Sequence, residues 1–334
     1  MAVVLSLLFA AGIAEICLRI LGPPYYRFNN LSEEYYTNPR GYHDVIRREG
    51  KHTVYGLTYH EDDNGYRLPP SENKGPFSGE AEKQIVAVGD SFTYGRGVRY
   101  EDIWPTRLER SLNHDRARVA VKNCGVVGAG TQDVLEIYEH ESYELPRESL
   151  VIYGMVLNDF GLAMETPVKG LNFIDINNGG YTFNPLRKHS SLVNFIFHRI
   201  DERRLHTATL KAYLGSFDGE GAEKGFGLLA QLNQSVSEAG GTLLVVVFPL
   251  LYDFENYYFD PMHQKIEAFC RSRGIHHLDL YPAFSSYNAE DLWANPTDHH
   301  PNETAHRIAA DEIYGFIESE LPDFSRRRGL TGPE

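Results

Sequence analysis

The stretch "IVAVGDSFTYGRG", Ile85 to Gly97, decides the fold class of this chain. Its first four residues, Ile85–Val88, are apolar and indicate a strand buried on both faces, as in a parallel sheet. Gly89 then permits a sharp turn, and Asp90 and Ser91 follow at the carboxyl end of the strand, where open α/β sheets bind their ligands. Three interpretations compete for this turn: a phosphate-binding loop, a serine nucleophile, and a capped turn without chemistry.

The spacing of the glycines argues against the phosphate-binding loop. A P-loop requires G-x-x-x-x-G-K-[ST] and a dinucleotide-binding turn requires G-x-G-x-x-G, whereas the glycines here stand at positions 89, 95 and 97. Ser91 as a helix N-cap remains the structural alternative to Ser91 as a nucleophile. Partner residues elsewhere in the chain must decide between the two.

From Ile85 onward, strand-like and helix-like segments alternate, which predicts an α/β fold with a parallel sheet covered on both faces, a three-layer α/β/α domain. The predicted strands are Ile85–Val88, Val119–Lys122, Leu150–Tyr153, Thr242–Phe248 and His276–Leu280. The predicted helices lie near Ile103–Leu112, Gln132–Tyr143, Gly221–Ala239 and Pro261–Arg273, with a last one from Pro301 to about Glu320.

The pattern divides the chain into a core domain, residues 85–322, and flanking segments. Residues 23–84 are rich in Tyr, Asn, Gly and Pro, which predicts an irregular extension with short strands at most, such as "HTVYGLTY". Residues 160–220 form an insertion in which "NFIDINNGGYTFNP" predicts a small hairpin. This insertion is either a lid or substrate wall or an inert surface feature. Residues 323–334 are expected to form a flexible tail.

The first 22 residues, "MAVVLSLLFAAGIAEICLRILG", are mostly apolar. A helix of about 20 residues spans roughly 30 Å, the thickness of the bilayer core. Glu15 and Arg19 are four apart and can pair on one helix face. We expect a membrane anchor that places the domain outside the cytoplasmic membrane, in the periplasm or beyond the cell. A cleaved signal peptide and a soluble amphipathic helix are the alternatives; the former lacks a basic n-region and a clear cleavage site.

Composition limits the remaining function classes. The net charge of −14 argues against nucleic acid as a partner, because phosphate neutralisation needs a basic face. Cys17, Cys124 and Cys270 are isolated, which argues against a disulfide framework, and we expect Cys124 and Cys270 to be buried. The sequence contains no recognisable metal-binding motif, and we expect no cofactor. The expected partners are the membrane and an ester substrate that is either a small molecule or part of a glycan. The sequence does not indicate the oligomeric state.

Four segments should meet at the carboxyl edge of the predicted sheet. The first carries Asp90 and Ser91, and the others are "NCGVVGAGTQD" with Gly128, "VIYGMVLNDF" with Asn158, and "NPTDHHPNETAHRIAAD" near the carboxyl terminus. Each has a structural explanation by itself, as a turn or a helix cap. Together, in order after successive strands, they favour a catalytic site.

The residue types in these segments fit acyl transfer. Ser91 needs a base to remove its proton, and His300 can supply it, while Asp298 can accept a hydrogen bond from the other imidazole nitrogen. The amides of Ser91 and Gly128 and the side chain of Asn158 are candidate donors to the oxyanion.

Of the adjacent His299 and His300, the second is the expected base. Alternate residues of an extended chain share a face, so Asp298 and His300 point the same way. Pro301, as the expected first residue of the last helix, would hold His300 extended at the sheet edge.

These segments resemble the four blocks of the SGNH hydrolases, also called the GDSL lipase/esterase superfamily, over roughly Ile85 to Glu320. "GDSFTYG" matches the first block, and Ser91, Gly128, Asn158 and His300 match the residues that name the family. The resemblance implies a flavodoxin-like five-stranded sheet of order 2-1-3-4-5 and ester hydrolysis through an acyl-serine. Two departures are the spacing Asp298-x-His300, where the family most often has Asp-x-x-His, and Gly154, which precedes Asn158 by four positions.

The leading functional prediction is therefore a serine esterase for short-chain, acetyl-type O-acyl esters, with a carbohydrate as the expected alcohol. An O-acetyltransferase that acts on a cell-surface glycan with the same residues is the alternative within the enzymes. A non-catalytic ligand-binding domain is the alternative from another class.

Overall fold

A computed structural model describes residues 2–21, 51–54, 57–70, 81–114, 118–142, 149–160, 186, 189–295 and 298–325. The chain forms two compact units. The smaller unit comprises Met1–Ser32 and Leu162–Ser216, and the larger unit comprises Glu33–Gly161 and Phe217–Glu334.

The larger unit contains the predicted alternation of strands and helices. Its described strands are β1 (Lys51–Val54), β2 (Leu57–Glu61), β3 (Arg67–Leu68), β4 (Lys83–Gly89), β5 (Val119–Gly125), β6 (Leu150–Val156), β7 (Thr242–Phe248), β8 (His276–Asp279), β9 (Trp293–Asn295) and β10 (Asp298–Pro301). Two long helices, α1 (Ala2–Leu21) and α5 (Ser191–Ser216), belong to the smaller unit. The described helices of the larger unit are α2 (Ser91–Tyr94), α3 (Trp104–Asn113), α4 (Thr131–Glu141), α6 (Gly219–Glu238), α7 (Asp260–Arg273), α8 (Tyr281–Phe284), α9 (Glu303–Glu320) and α10 (Pro322–Ser325). Short 3-10 turns lie at Tyr100–Asp102, Leu157–Phe160, Phe254–Asn256 and Ala289–Leu292.

Five of the described strands form one parallel sheet in the order β5-β4-β6-β7-β8. Counted along the chain from β4, this is the predicted order 2-1-3-4-5, so the flavodoxin-like α/β fold is confirmed. Gly89 at the end of β4 lies opposite Gly125 of β5 and Gly154 of β6. The carboxyl ends of β4 and β5 therefore meet at Gly89, and β6 continues two residues further, to Val156.

Helices cover both faces of this sheet. On one face, α3 and α9 pack together over alternate strand residues, and the buried cluster includes Trp104, Ile313, Ala87, Ile152 and Val246. Elsewhere, α4 packs against α6. The strands are apolar on both faces because both faces are covered, which explains their continuous rather than alternating hydrophobicity. Cys124 of β5 and Cys270 of α7 are buried, as expected.

Strands β4, β5 and β6 are longer than predicted. Polar residues or glycines interrupt the apolar pattern where the predicted strands end, such as Gln84 in β4, Asn123 in β5 and Gly154 in β6. Two flanking segments were predicted to be irregular. The short strands expected in "HTVYGLTY" are present as β1 and β2, and together with β3 they form a small antiparallel sheet within residues 51–68. Asp323–Ser325, predicted as tail, belong to the helical turn α10, and residues 326–334 lie outside the described residues.

The last long helix begins later than predicted. Pro301 ends β10 and does not open the helix; α9 begins at Glu303. Asn302 is the N-cap, and its Oδ1 accepts hydrogen bonds from the amides of Thr304 and Ala305 at 3.0 and 3.1 Å. The asparagine satisfies two amides that have no partner inside the helix, which explains why it, and not the proline, sets the helix start.

The described part of the smaller unit consists of two long helices, α1 (Ala2–Leu21) and α5 (Ser191–Ser216), and a short stretch before α5. Within α1, Ala2–Ile20 is long and apolar enough to cross a membrane, and none of it is buried. Glu15 and Arg19 form the expected pair, with Nε 2.6 Å from Oε1. The hairpin predicted at residues 172–185 lies outside the described residues, whereas α5 was not predicted.

Candidate active site

Ser91 lies in the turn between β4 and α2. Asp90, not Ser91, is the N-cap of α2: its Oδ1 accepts a hydrogen bond from the Phe92 amide at 2.8 Å. The interpretation of Ser91 as a helix cap is therefore wrong. Gly95 ends the helix with φ +83°, and its amide donates to the Ser91 carbonyl at 3.0 Å. The serine thus starts a single helical turn that is closed at both ends.

Two glycines of the neighbouring strands bring this turn close to the sheet. A Cβ atom on Gly125 would lie 2.3 Å from the Tyr94 amide nitrogen, and one on Gly154 would lie 2.4 Å from Thr93 Oγ1. Any larger residue at either position would displace the turn that carries Ser91. Gly154 is therefore an interior strand residue that packs against the turn, and its distance from Asn158 reflects the extension of β6 to Val156.

The hairpin of β9 and β10 brings His300 to Ser91. His300 Nε2 lies 2.9 Å from Ser91 Oγ, and the imidazole packs beside Phe92 with ring centroids 5.7 Å apart. The Ser91 hydroxyl has a second acceptor in Asp90 Oδ2, at 3.3 Å. The shorter distance favours a hydrogen bond between the Ser91 hydroxyl and the imidazole over one to Asp90.

His299 turns the other way. Its ring stacks on Trp293 of β9, with centroids 3.9 Å apart and planes 14° apart. The backbone of Asp298 pairs with Asn295 at the start of β10, and the pairing is irregular between Asp298 and Pro301. The side chain of Asp298 lies outside the described part of the structure, so its pairing with His300 stays a prediction.

The two remaining oxyanion candidates follow the strands on either side of β4. Gly128 lies in the turn between β5 and α4, with φ +81°, a conformation that glycine adopts without strain. Asn158 lies in the 3-10 turn Leu157–Phe160, immediately after β6. It is half-buried, and no described residue forms a hydrogen bond with its buried Oδ1 or accepts one from its Nδ2.

A buried polar cluster connects these two segments. Tyr153 of β6 donates its hydroxyl proton to Asp159 Oδ2 at 3.0 Å, and the Val156 amide donates to the same oxygen at 3.0 Å. Thr131 of α4 donates to the Asp159 carbonyl at 2.8 Å, and its Oγ1 lies 3.1 Å from the Tyr153 hydroxyl. The cluster therefore joins the start of α4, three residues after Gly128, to the turn that holds Asn158.

Two buried carboxyl groups shape the electrostatics of the site. Burial raises the pKa of Asp90 to about 6, although the Phe92 amide and the nearby His300 oppose the shift. Burial, and then the charge of Asp90, raise the pKa of Asp159 well above its usual range. Buried carboxyl groups with raised pKa values are common at catalytic sites, where function tolerates their cost.

The small sheet of β1, β2 and β3 contacts the turn that carries Ser91, and the sequence did not predict this contact. Arg67 is buried, its guanidinium lies 4.2 Å from the centre of the Tyr59 ring, and it donates to the carbonyls of Gly95 and Val98. Tyr94, in α2, donates its hydroxyl proton to Glu61 at 2.7 Å. The only available signal was the density of tyrosine and charge in residues 57–67.

Within the described ranges, no group of three His, Cys, Asp or Glu side chains is arranged to hold a metal ion. The chemistry that the described residues support is that of a hydroxyl nucleophile with an imidazole partner.

A serine and a histidine at the carboxyl edge of a flavodoxin-like sheet define the class of the serine hydrolases that use this fold. Residues 87–308, more than half of the chain, match the GDSL-like lipase/acylhydrolase family. The chain belongs to this family, and it is a serine ester hydrolase. No curated protein matches its sequence.

Several solved structures are similar to the chain at low identity. A lipolytic protein of the G-D-S-L family from Veillonella parvula DSM 2008 is 14% identical, with 72% of this chain and 98% of that chain covered and a TM-score of 0.43. The esterase EstA from Pseudoalteromonas sp. is 14% identical, with 72% and 100% covered and a TM-score of 0.43. An acetylxylan esterase from Geobacillus stearothermophilus is 14% identical, with 74% and 98% covered and a TM-score of 0.45. The assignment of this chain rests on the family match and the site, not on these structures.

Proposed function

We propose that the protein hydrolyses short-chain, acetyl-type O-acyl esters of carbohydrates, with Ser91 as nucleophile and His300 as general base. The observation that carries the proposal is the 2.9 Å distance between His300 Nε2 and Ser91 Oγ. This lies within the hydrogen-bond range that proton transfer from a nucleophile to its base requires.

The reaction follows from this geometry. Ser91 Oγ attacks the ester carbonyl while its proton passes to His300 Nε2, and Asp298 stabilises the imidazolium that forms. The oxyanion accepts hydrogen bonds from the amides of Ser91 and Gly128 and from Asn158 Nδ2. When the intermediate collapses, His300 donates the proton to the departing alcohol. Water, deprotonated by His300, then attacks the acyl-serine and releases the acid and the free serine.

Two features support a small acyl group on a polar alcohol. Apart from the first turns of α5, residues 160–220 are interrupted by Asn, Gly, Asp and Tyr, and no more than three apolar residues follow one another, which favours a short acyl group over a long one. The exposed ring of His299, stacked on Trp293, offers a flat surface of the kind on which sugar rings pack.

Labelling with a fluorophosphonate probe and a panel of esters test the proposal. We expect the probe to label the native protein and not Ser91→Ala, and acetyl esters to be cleaved faster than octanoyl or palmitoyl esters. Labelling that survives in Ser91→Ala would overturn the nucleophile assignment, and absence of labelling in the native protein would favour a binding domain. Transfer of the acetyl group to an added sugar, in preference to water, would redirect the proposal to an O-acetyltransferase.

We further propose that α1 anchors the protein in the cytoplasmic membrane, with the larger unit outside the cytoplasm. The apolar, unburied helix Ala2–Ile20 supports the anchor. The full-length protein should stay in the membrane pellet after carbonate extraction, and a protease added to intact spheroplasts should digest the larger unit. Recovery of the uncleaved chain in the soluble fraction would contradict the anchor.

A further inference from the structure

Glu15 of α1 caps the start of α5. Its carboxylate accepts hydrogen bonds from Ser190 Oγ at 2.8 Å and from the amides of Ser191 and Leu192 at 3.0 and 2.7 Å, in addition to Arg19 Nε at 2.6 Å. Glu15 and Arg19 are the two charged residues of α1. The polar side chains of an otherwise apolar helix thus have a specific use within the smaller unit.

Arg19 binds the same segment. Its Nη2 donates to the carbonyl of His189 at 2.6 Å, one residue before Ser190. We call the hydrogen bonds of Glu15 and Arg19 to residues 189–192 the clamp. The first amides of a helix have no acceptor inside the helix, and a negative charge near them is favourable. An acid in a membrane helix is costly unless it is paired, and Glu15 is paired by Arg19 and by α5. The clamp therefore stabilises both helices, and it would be lost if α1 were cleaved off.

The first three turns of α5 are unusually apolar for a surface helix. Six of the ten residues 191–200 are Leu, Val, Phe or Ile. Ile196 and Ile200 are 48% and 38% exposed, and they are one turn apart on one face of the helix. Arg199 and Arg204 are exposed close to the same face. Exposed apolar side chains next to basic ones are typical of helices that lie in a lipid surface.

The position of Glu15 along α1 indicates what covers the face of α5 that carries Ile196 and Ile200. Glu15 lies six residues from the end of α1, about 9 Å at the rise of an α-helix. If α1 spans the bilayer with Leu21 at the outer edge of the hydrocarbon core, the clamp holds the start of α5 about 9 Å below that edge. This is within the depth of about 5–10 Å at which interfacial helices bury their apolar faces. At this depth lipid would cover Ile196 and Ile200, and the arginines next to them would be within reach of lipid phosphates.

We propose that α5 docks on the membrane surface, with Ile196 and Ile200 in the lipid, and that Glu15 holds it there. The inference goes beyond the esterase activity and rests on the membrane anchoring proposed above. The partner is a bilayer with anionic phospholipids, because the exposed basic side chains accompany the apolar ones.

Fluorescence quenching in liposomes tests the docking. The full-length chain carries Cys17→Ser, since Cys17 is the exposed cysteine, and one added cysteine, Ile196→Cys or Ile200→Cys, bearing a polarity-sensitive dye. A matched label at Glu320→Cys, exposed at the end of α9, is the aqueous control. In vesicles of phosphatidylethanolamine and phosphatidylglycerol, we expect spin-labelled lipid to quench the α5 labels several-fold more than the control, and iodide to do the reverse.

Other outcomes of this measurement overturn the docking. If iodide quenches the α5 labels as strongly as the control, α5 faces water. If neither quencher reaches them, protein covers the face, as in contact with a second copy of the chain. Carbonate extraction and acetyl-ester hydrolysis are measured on the same vesicles, so failure of the anchor or of the esterase is recorded separately from failure of the docking. A chain that is extracted from the vesicles also overturns the docking, because the clamp then has no membrane beside it.

Two substitutions in α1 test the clamp. Glu15→Ala should move the Ile200→Cys label from lipid to water while the chain stays in the vesicles, and Glu15→Gln, which keeps a hydrogen-bond acceptor, should move it less. Ser6→Ala is the matched control, because Ser6 Oγ donates within its own helix to the Ala2 carbonyl. Unchanged lipid quenching in Glu15→Ala would show that the clamp does not hold α5 on the membrane.

Discussion

His299 lies flat on Trp293, with ring centroids 3.9 Å apart. One of two adjacent histidines is therefore held on the surface of the hairpin formed by β9 and β10. The indole is itself held, because its Nε1 donates to the Leu251 carbonyl at 2.8 Å. Since neighbouring residues of a strand point to opposite faces, His300 faces Ser91. The proposed base His300 and the stacked His299 therefore lie on opposite faces of the same strand.

Substituting each histidine in turn should separate these roles. His300→Ala should lower kcat on a p-nitrophenyl ester by about 10³-fold or more, because Ser91 loses its base. His299→Ala should change kcat less than about fivefold, and it should raise KM for an acetylated sugar more than for p-nitrophenyl acetate. Steady-state kinetics of purified, folded variants measures both, and the opposite ranking would transfer the role of base to His299.

Asn158 should contribute to catalysis and not to substrate affinity. Its Oδ1 is buried and its amide has no acceptor among the described residues, so its Nδ2 is available to a developing oxyanion. We expect Asn158→Ala to lower kcat by about 10²–10³-fold with KM nearly unchanged, as for other oxyanion donors. Glutamine at 234, exposed on α6, supplies the control as Gln234→Ala. An unchanged kcat would leave Asn158 with a structural role only.

The hydroxyl of Tyr153 should act as a positioning group for the Asn158 turn. Tyr153→Phe removes the hydrogen bonds to Asp159 and Thr131 without changing the ring, and should lower the free energy of unfolding by about 1–2 kcal/mol. We also expect kcat to fall by about tenfold at constant KM, which a loss of stability alone would not cause in folded protein. Tyr138→Phe, a buried tyrosine of α4 outside this cluster, is the comparison. Equal kcat in both variants would refute the positioning role.

The fold was predictable because its strands are apolar on both faces and alternate with helices along the chain. The run Thr242–Phe248 matches β7 without change, because seven largely apolar residues between two helices are typical of a strand that is covered on both faces. The ends of the strands were harder to predict, because β4 begins at the polar Lys83 and β6 continues through Gly154. Their pairing depends on neighbours distant in sequence, which a local pattern does not contain.

The proximity of Ser91 and His300 was predictable because both lie in segments that match the blocks of the family in order. The residues that support these segments from below were not predicted. Arg67 reaches the Ser91 turn from a segment that looked irregular, and Asp159 looked like the cap of a turn although its side chain is buried beneath one. Such residues act through burial and through hydrogen bonds to backbone atoms, and these contacts do not produce a recognisable sequence motif.

Arg67 should stabilise the protein through its hydrogen bonds to the turn that follows Ser91. Arg67→Met removes the hydrogen bonds to Gly95 and Val98 and should lower the free energy of unfolding by about 3 kcal/mol. Arg67→Lys should be nearly as damaging, because a single ammonium lacks the planar fork that reaches both carbonyls. Urea denaturation measures the loss, with Arg110→Met, exposed on α3, as the control. Similar stability of the two methionine variants would contradict the role.

Asp90 contributes a charge at the site at a cost in stability. Burial raises the pKa of its carboxyl to about 6 in the folded protein, against about 3.9 when unfolded. A group whose pKa is raised on folding stabilises the fold fully below its unfolded pKa, and this contribution is lost as the pH rises through the folded pKa. The unfavourable effect of the Asp90 carboxylate should therefore develop between about pH 4 and pH 7.

Asp90→Asn should accordingly stabilise the protein at neutral pH while it impairs catalysis. The amide oxygen can still cap α2 through the Phe92 amide, but it carries no charge at any pH. We expect the variant to exceed the native protein in free energy of unfolding by on the order of 2 kcal/mol at pH 8, with the difference shrinking towards pH 4.5. The kcat should fall about tenfold or more, because His300 loses a neighbouring negative charge as it gains a proton. Urea denaturation at pH 4.5, 6, 7 and 8 measures the first effect, and Asp311→Asn, exposed on α9, provides the baseline. A stability difference that is constant with pH would show that Asp90 does not titrate in this range.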